Sequence, residues 1–186
     1  FIPVYMFLFL PMRLVMAQDP AGFLSSSSKV QWGLMAFVFG LSHMAYLLVM
    51  PNVPGSSANG QSLLFFLVLL TELNDICQFV WGKTLGKRKI LPTISPKKTW
   101  EGAIAGLLMA VLFSIVARNN YLRFISIYDA IIIGIIVGVI GQTGDLFESL
   151  LKREADVKDS STIIPGHGGV LDRFDSLLFV APVVYV

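Results

Sequence analysis

Between Lys29 and Pro51 the chain runs through Val30–Met50 without a single Asp, Glu, Lys or Arg. A helix needs roughly 20 apolar residues to cross the hydrocarbon of a bilayer, so this run is long enough to cross alone. Gln61–Trp81 is a second run of that length. Shorter apolar spans lie at Phe1–Ala17, Gly102–Ala117, Ala130–Gly144 and Leu177–Val186. Gly102–Ala117 and Ala130–Gly144 need flanking residues to complete a crossing. In the whole chain 55% of residues are hydrophobic and 14% charged, against roughly 25% charged in soluble domains. A soluble interior has no room for that much apolar surface, so lipid must solvate much of it. The expected fold is all-α, a polytopic transmembrane helical bundle with about five to six membrane segments.

Both ends fall inside apolar runs. Phe1 opens one, and Ser176–Val186 is too short to cross. We expect one or both ends to be cut, above all the N-terminal one. Arg13 comes late in Phe1–Ala17, unlike the leading basic residues of a signal peptide. Cys77 is the only cysteine, which excludes an internal disulfide framework and a cysteine-based zinc cluster. It reads as a small packing residue. Residues 1–60 form N-terminal membrane segments without a motif, and 61–186 hold every chemical signal described below.

The connectors differ in charge. If crossings alternate, 18–29, 82–98 and 145–175 share one side. They carry Lys29; Lys83, Lys87, Arg88, Lys89, Lys97 and Lys98; and Lys152, Arg153, Lys158 and Arg173. The other side carries Arg118 and Arg123. Lys and Arg gather in cytoplasmic loops, so 82–98 and 145–175 are expected to face the cytoplasm, where nucleoside triphosphates are found.

Three stretches hold chemistry. Glu72 and Asp75 lie inside the third span on one helix face, with Asn74 adjoining and Gln78 a turn further on. Charges at membrane depth are costly and usually functional. Glu72 reads equally as a polar seam between helices or as a site residue; Asp75 reads as site, because two close carboxylates need a shared cation. The second stretch is Gly144–Ser149 (Gly-Asp-Leu-Phe-Glu-Ser), then Lys152-Arg153, Lys158-Asp159, Pro165–Gly169 and Asp172-Arg173-Phe174-Asp175. Its carboxylates suit Mg²⁺, its cations suit phosphate oxygens, and its glycines let backbone N–H groups approach an anion. That combination describes metal-assisted phosphoryl or nucleotidyl transfer; the plain alternative is a solvated loop of surface ion pairs. The third stretch is basic, Gly82–Lys89, followed by Ser95–Gly102 (Ser-Pro-Lys-Lys-Thr-Trp-Glu-Gly). Gly82-Lys83-Thr84 is not a P-loop end, because Cys77 stands where the first glycine belongs. The basic run reads as a topology signal or a patch for anionic headgroups. Thr99 and Glu101 read as ordinary helix-start residues, and Trp81 and Trp100 as interfacial anchors.

Ser149, Lys152, Arg153, Lys158, Asp159, His167, Gly168, Gly169, Asp172, Arg173 and Asp175 appear in the order of the phosphatidate cytidylyltransferase (CDP-diacylglycerol synthase) signature, which this segment resembles. The family's upstream Gly-Asp-Leu-x-Glu-Ser is present at Gly144–Ser149, and its Ser-Pro-x-Lys-Thr-x-Glu-Gly at Ser95–Gly102. Its acidic transmembrane segment leading to a Gly-x-x-x-Gly-Lys is present at Asp75–Lys87. The resemblance covers roughly residues 61–180.

The resemblance implies that phosphatidate attacks the α-phosphorus of CTP, giving CDP-diacylglycerol and pyrophosphate. It implies Mg²⁺, with a second metal ion left open. Asp145 and Asp172 would hold it, with Asp75 and Glu148 completing the set. Lys98, Lys152, Arg153, Lys158 and Arg173 would neutralise phosphate charge. Ser95, Ser149, Asp159, His167, Gly168, Gly169 and Asp175 would bind substrate. The phosphate nucleophile is already largely ionised at neutral pH, so His167 reads as a hydrogen-bond donor or loop residue rather than a base. The expected partners are CTP, phosphatidate and the bilayer, with no nucleic acid and a homodimer left open. The rivals are a CTP-dependent polyprenol or dolichol kinase, a non-enzymatic transporter using Glu72 and Asp75, and an inactive relative. A CDP-alcohol phosphotransferase is disfavoured, because its Asp-Gly-x-x-Ala-Arg lead is missing.

Overall fold

The computed structural model describes residues 2–17, 23–51, 59–157, 160–161, 169 and 171–185. Helix α1 (Ile2–Ala17) is followed by α2 (Phe23–Gly33), a π-helical segment (Leu34–Gly40) and α3 (Leu41–Leu48). From Leu24 to Leu48 these form one rod of membrane-crossing length. Helices α4 (Gly60–Leu85) and α5 (Trp100–Asn120) are two more. The fourth runs from Ile127 to Glu154 through α6 (Ile127–Ile136), a second π-helical segment (Val137–Gly141) and α7 (Gln142–Glu154). Helix α8 (Leu171–Tyr185) packs back against both π segments. Of the expected five to six segments, four are full-length crossing helices among the described residues, and the apolar runs nearest the two ends correspond to the shorter α1 and α8.

Local sequence sets the helix starts. The Asn59 side chain accepts the Ser62 N–H, and the Ser62 hydroxyl accepts the Asn59 N–H, both at 2.9 Å. This reciprocal pair satisfies two donors that the start of α4 leaves over. Ser126 and Asp129 do the same for α6. Thr99 accepts the Gly102 N–H at 3.2 Å and caps α5, the helix-start role its position suggested.

The helices pack through small residues, as membrane helices do when dispersion rather than water drives association. A Cβ on Gly102 would sit 2.7 Å from the Gln78 carbonyl oxygen and 2.9 Å from Gly82 Cα, so α4 and α5 meet backbone to backbone. The core joins Leu67 and Leu70 of α4, Ala110 of α5, Val137 of the second π segment, and Leu177, Val180 and Ala181 of α8. Phe65 and Leu108 face outward, 69% and 64% exposed, as lipid-facing residues must.

Two stretches differ from the sequence reading. The connector after α4 contains a two-stranded antiparallel hairpin, β1 (Lys89–Leu91) and β2 (Ser95–Thr99), with Lys89 opposite Thr99 and Leu91 opposite Ser95. The polar stretch from Asp145 is helical as far as Glu154 instead of opening a loop at Gly144. Asp145, Glu148 and Lys152 are spaced three and four residues apart, so the polarity marks a helix face. Arg153 Nε donates to the Ile94 carbonyl at 3.3 Å, which puts the hairpin and the end of α7 at one end of the bundle. Arg118 Nε donates to the Ile125 carbonyl at 3.1 Å in the α5–α6 turn.

Candidate active site

Asp75 of α4, Asp145 of α7 and Asp172 and Asp175 of α8 line one cavity of about 280 Å³, with Glu72, Lys152 and Arg173. Asp75 is gripped on its protein side. Asn74 Nδ2 donates to its Oδ1 at 3.3 Å, and the Ser176 hydroxyl donates to its Oδ2 at 3.2 Å. Asn74 is fully buried, and its own Oδ1 has no hydrogen-bond partner among the described residues. Glu72, one turn back, is exposed at the cavity's edge.

Lys152 stands between two carboxylates, 2.5 Å from Glu148 Oε2 and 2.9 Å from Asp172 Oδ1. Glu148 is 3% exposed, and a carboxylate that deep needs a cation, because breaking such a pair costs about 3–5 kcal/mol. Asp172 also accepts the Ser160 N–H at 3.0 Å, the Ser160 hydroxyl at 2.8 Å and the Gly169 N–H at 2.6 Å. Burial pushes the Asp172 carboxyl up, but Lys152, Gly169 and Ser160 outweigh it and hold it well below the usual carboxylate range. Asp175, three residues on, has burial and then the Asp145 charge against it, and is pushed up to about 6.

A second cavity of about 620 Å³ lies between the end of α4, the hairpin and the start of α5. Its wall includes Ser95, Gln78 and four lysines, Lys83, Lys89, Lys97 and Lys98. Asp75 and Asp145 line this cavity as well as the acidic one. Lys98 reaches from β2 to form an ion pair with Asp145 Oδ2.

The structure therefore brings Asp75, Asp145, Asp172, Asp175, Lys152 and Arg173 together, and joins Lys98 to them through Asp145. Arg153 instead holds the hairpin turn. Ser149 lies in α7, and Gly169 is tied to Asp172. Lys158, Asp159, His167 and Gly168 lie outside the described residues. Sequence reasoning missed Ser176, and it passed over Glu101 as a simple helix-start residue. Glu101 accepts the N–H groups of Lys87 (3.1 Å) and Arg88 (3.2 Å), clasping the hairpin's entry.

The donor set suits a hard divalent cation, since Mg²⁺ takes carboxylate oxygens and water. Among the described residues, no three of these side chains converge into a ready-made metal group. The carboxylates share a cavity wall, with water left to complete any coordination.

Four helices of crossing length, with the buried charge gathered at one end of the bundle, define an integral membrane protein. The Cytidylyltransferase family model matches residues 1–186, and the chain belongs to that family. The match includes 1–60, where the sequence carries no legible motif. Over all of the chain and 61% of its own length, YnbB of Escherichia coli K12, which bears the name of an uncharacterized protein, is 43% identical. A phosphatidate cytidylyltransferase of Staphylococcus epidermidis is 36% identical over 86% of the chain and 62% of its own length. That of Bacillus subtilis 168 is 47% identical over 68% of the chain and 47% of its own length. The chain thus spans about three fifths of the first of these relatives.

Proposed function

We propose that the protein transfers CMP from CTP to phosphatidate, releasing pyrophosphate and leaving CDP-diacylglycerol in the membrane. One observation carries the reading: a lysine-lined cavity and a carboxylate-lined cavity share Asp75 and Asp145. A polyanionic substrate and a metal-assisted reaction need those two environments side by side. The phosphatidate cytidylyltransferases among the relatives add support.

In this reading Asp75 and Asp145 come first as ligands for Mg²⁺, with Asp172 and Glu148 beside them. Bound there, the ion would supply charge neutralisation at the phosphates. Lys98, Lys152 and Arg173 oppose the charge that builds on the transferring group, and Ser95 and Asp175 flank the two cavities. Arg153 acts by holding the hairpin. Ser149, Lys158, Asp159, His167, Gly168 and Gly169 keep their proposed phosphate-side and substrate-side roles. No strong general base is required, because the attacking phosphate monoester, second pKa about 6, is already ionised. The catalytic effect is positioning and electrostatic stabilisation. The excess of Lys and Arg at this end supports a cytoplasmic site, where CTP arrives from water and phosphatidate from the bilayer.

The test is a proteoliposome assay with α-³²P-CTP, phosphatidate and Mg²⁺. Label is expected in the lipid phase, dependent on phosphatidate and Mg²⁺, and lost in Asp145→Asn. A well-folded protein that labels lipid only from γ-³²P-CTP would replace this reading with lipid kinase activity.

A further inference from the structure

Of the lysines in the basic connector, the roles above use only Lys98. Lys83 in the last turn of α4, Lys89 on β1 and Lys97 on β2 line the hairpin cavity beside it. We propose that this cavity is the triphosphate subsite, which grips the polyphosphate of the nucleotide while the lipid phosphate comes to Asp75 and Asp145 from the acidic side. The inference rests on the cytidylyltransferase reading.

Charge distinguishes the two cavities. Around the hairpin cavity the four lysines outnumber Asp75 and Asp145. Around the other cavity Glu72 and four aspartates face only Lys152 and Arg173. A triphosphate carries roughly twice the charge of a phosphate monoester, whose charge is about −2 near neutral pH. It therefore belongs where ammonium groups are in excess. Volume points the same way. Small-molecule sites occupy about 300–1,000 Å³; the hairpin cavity, at about 620 Å³, falls inside that range, and the acidic cavity, at about 280 Å³, falls below it.

The backbone that carries these lysines is also held in place. The Glu101 carboxylate takes the Lys87 and Arg88 N–H groups, and the Trp100 N–H donates to the Arg88 carbonyl at 2.9 Å. A Cβ on Gly86 would fall 2.5 Å from Thr99 Oγ1, so the chain leaving α4 lies directly against the end of β2. Two lysines from facing strands and one from the helix end thus line one cavity on a backbone that is tied down at the hairpin's entry. Glu101 is a positioning residue: it acts on phosphate only through the strands it clasps.

The experiment uses the protein in proteoliposomes and compares it with Lys89→Ala/Lys97→Ala. Both side chains are exposed, so the bundle does not depend on them for packing. The KM for CTP is expected to rise at least tenfold, and the KM for phosphatidate to stay within about twofold. Inorganic tripolyphosphate is expected to compete with CTP in the parent and to lose tenfold or more of its potency in the variant. Glu101→Ala is expected to raise the KM for CTP in the same way, with partial recovery in Glu101→Gln, which keeps one acceptor oxygen. A rise in the KM for phosphatidate alone would assign the cavity to the lipid phosphate and overturn the proposal. Unchanged values for both substrates would overturn it too, leaving the lysines as a topology signal. Direct binding of tripolyphosphate, followed by thermal shift without turnover, separates the outcomes. Binding lost in the variant supports the subsite even if no CMP-lipid forms, and binding unaltered in the variant sinks it even if CMP-lipid does form.

Discussion

The Ser176 hydroxyl donates to Asp75 Oδ2 at 3.2 Å, tying α8 to α4 across 101 positions of sequence. With Asn74 on the other oxygen, it fixes the orientation of a carboxylate that both cavities share. Groups that orient a ligand in this way are typically worth 10–100-fold in affinity or activity. Ser176→Ala is therefore expected to lower CMP transfer about 10- to 100-fold, with the elution profile in detergent unchanged, and Ser176→Thr to restore most of it. A Ser176→Ala enzyme of full activity would show that Asp75 needs no holding.

The Lys98–Asp145 ion pair permits a test of structure against function. If its purpose were only to pin the hairpin to α7, exchanging the residues would preserve it. We expect Lys98→Ala and Asp145→Asn each to cut turnover by roughly 10²-fold or more, the scale seen when one preorganised electrostatic group is lost. The exchange Lys98→Asp/Asp145→Lys is expected to stay inactive while remaining folded.

Gly102 sets how closely α4 and α5 approach, since a Cβ there meets the Gln78 carbonyl at 2.7 Å. Gly102→Leu is expected to destabilise the protein by about 1–3 kcal/mol or more, as overpacking does, read as a lower unfolding temperature in detergent. Gly33, with nothing within 4 Å of its Cβ position, provides the control. Gly33→Ala is expected to be neutral or to stabilise by up to about 1 kcal/mol.

Asp175 and Asp172 give stability opposite pH slopes. An unfolded Asp titrates near 3.9. Folded Asp175 holds its proton up to about 6, so the folded state keeps a proton that the unfolded chain has released, and stability falls as pH rises between those values. Folded Asp172 lies below the unfolded value, so its contribution is complete above about pH 4–5 and is lost as pH drops further. In EDTA, Asp175→Asn is expected to flatten the decline between about pH 4 and 6, and Asp172→Asn to flatten the loss on the acid side. Unfolding temperatures measured from pH 3 to 8 would show both.

Much of the bundle was legible because apolar length is a strong signal: all but the last two residues of Val30–Met50, and all of Gln61–Trp81, fall in crossing helices. Misreadings came where polarity and secondary structure part company. Asp145 looked like the start of a loop, because a charge after Gly144 usually means water. Here it faces other charged residues across a cavity, and the helix continues. The hairpin stayed hidden because β1 and β2 are three and five residues long and rich in lysine, with no alternation to read. Glu101 showed its position but not its reach, since its partners lie thirteen and fourteen residues upstream. Ser176 carried no signal beyond its place next to Asp175, and the bond it makes depends wholly on tertiary packing.

The π-helical segment Val137–Gly141 joins α6, which packs on α5, to α7, which carries Asp145, Glu148 and Lys152. Upstream, Gly134 lies against Val111; downstream, Gly144 lies against α8 at Asp175 and Phe179. Each residue of an α-helix advances the azimuth by about 100°, and a π segment inserts residues without a matching turn. The segment is thus a fixed phase offset on a single shaft. It lets one end mesh with α5 while the other aims Asp145, Glu148 and Lys152 at α8. Removing one residue from it would leave both ends helical and turn all three side chains away together.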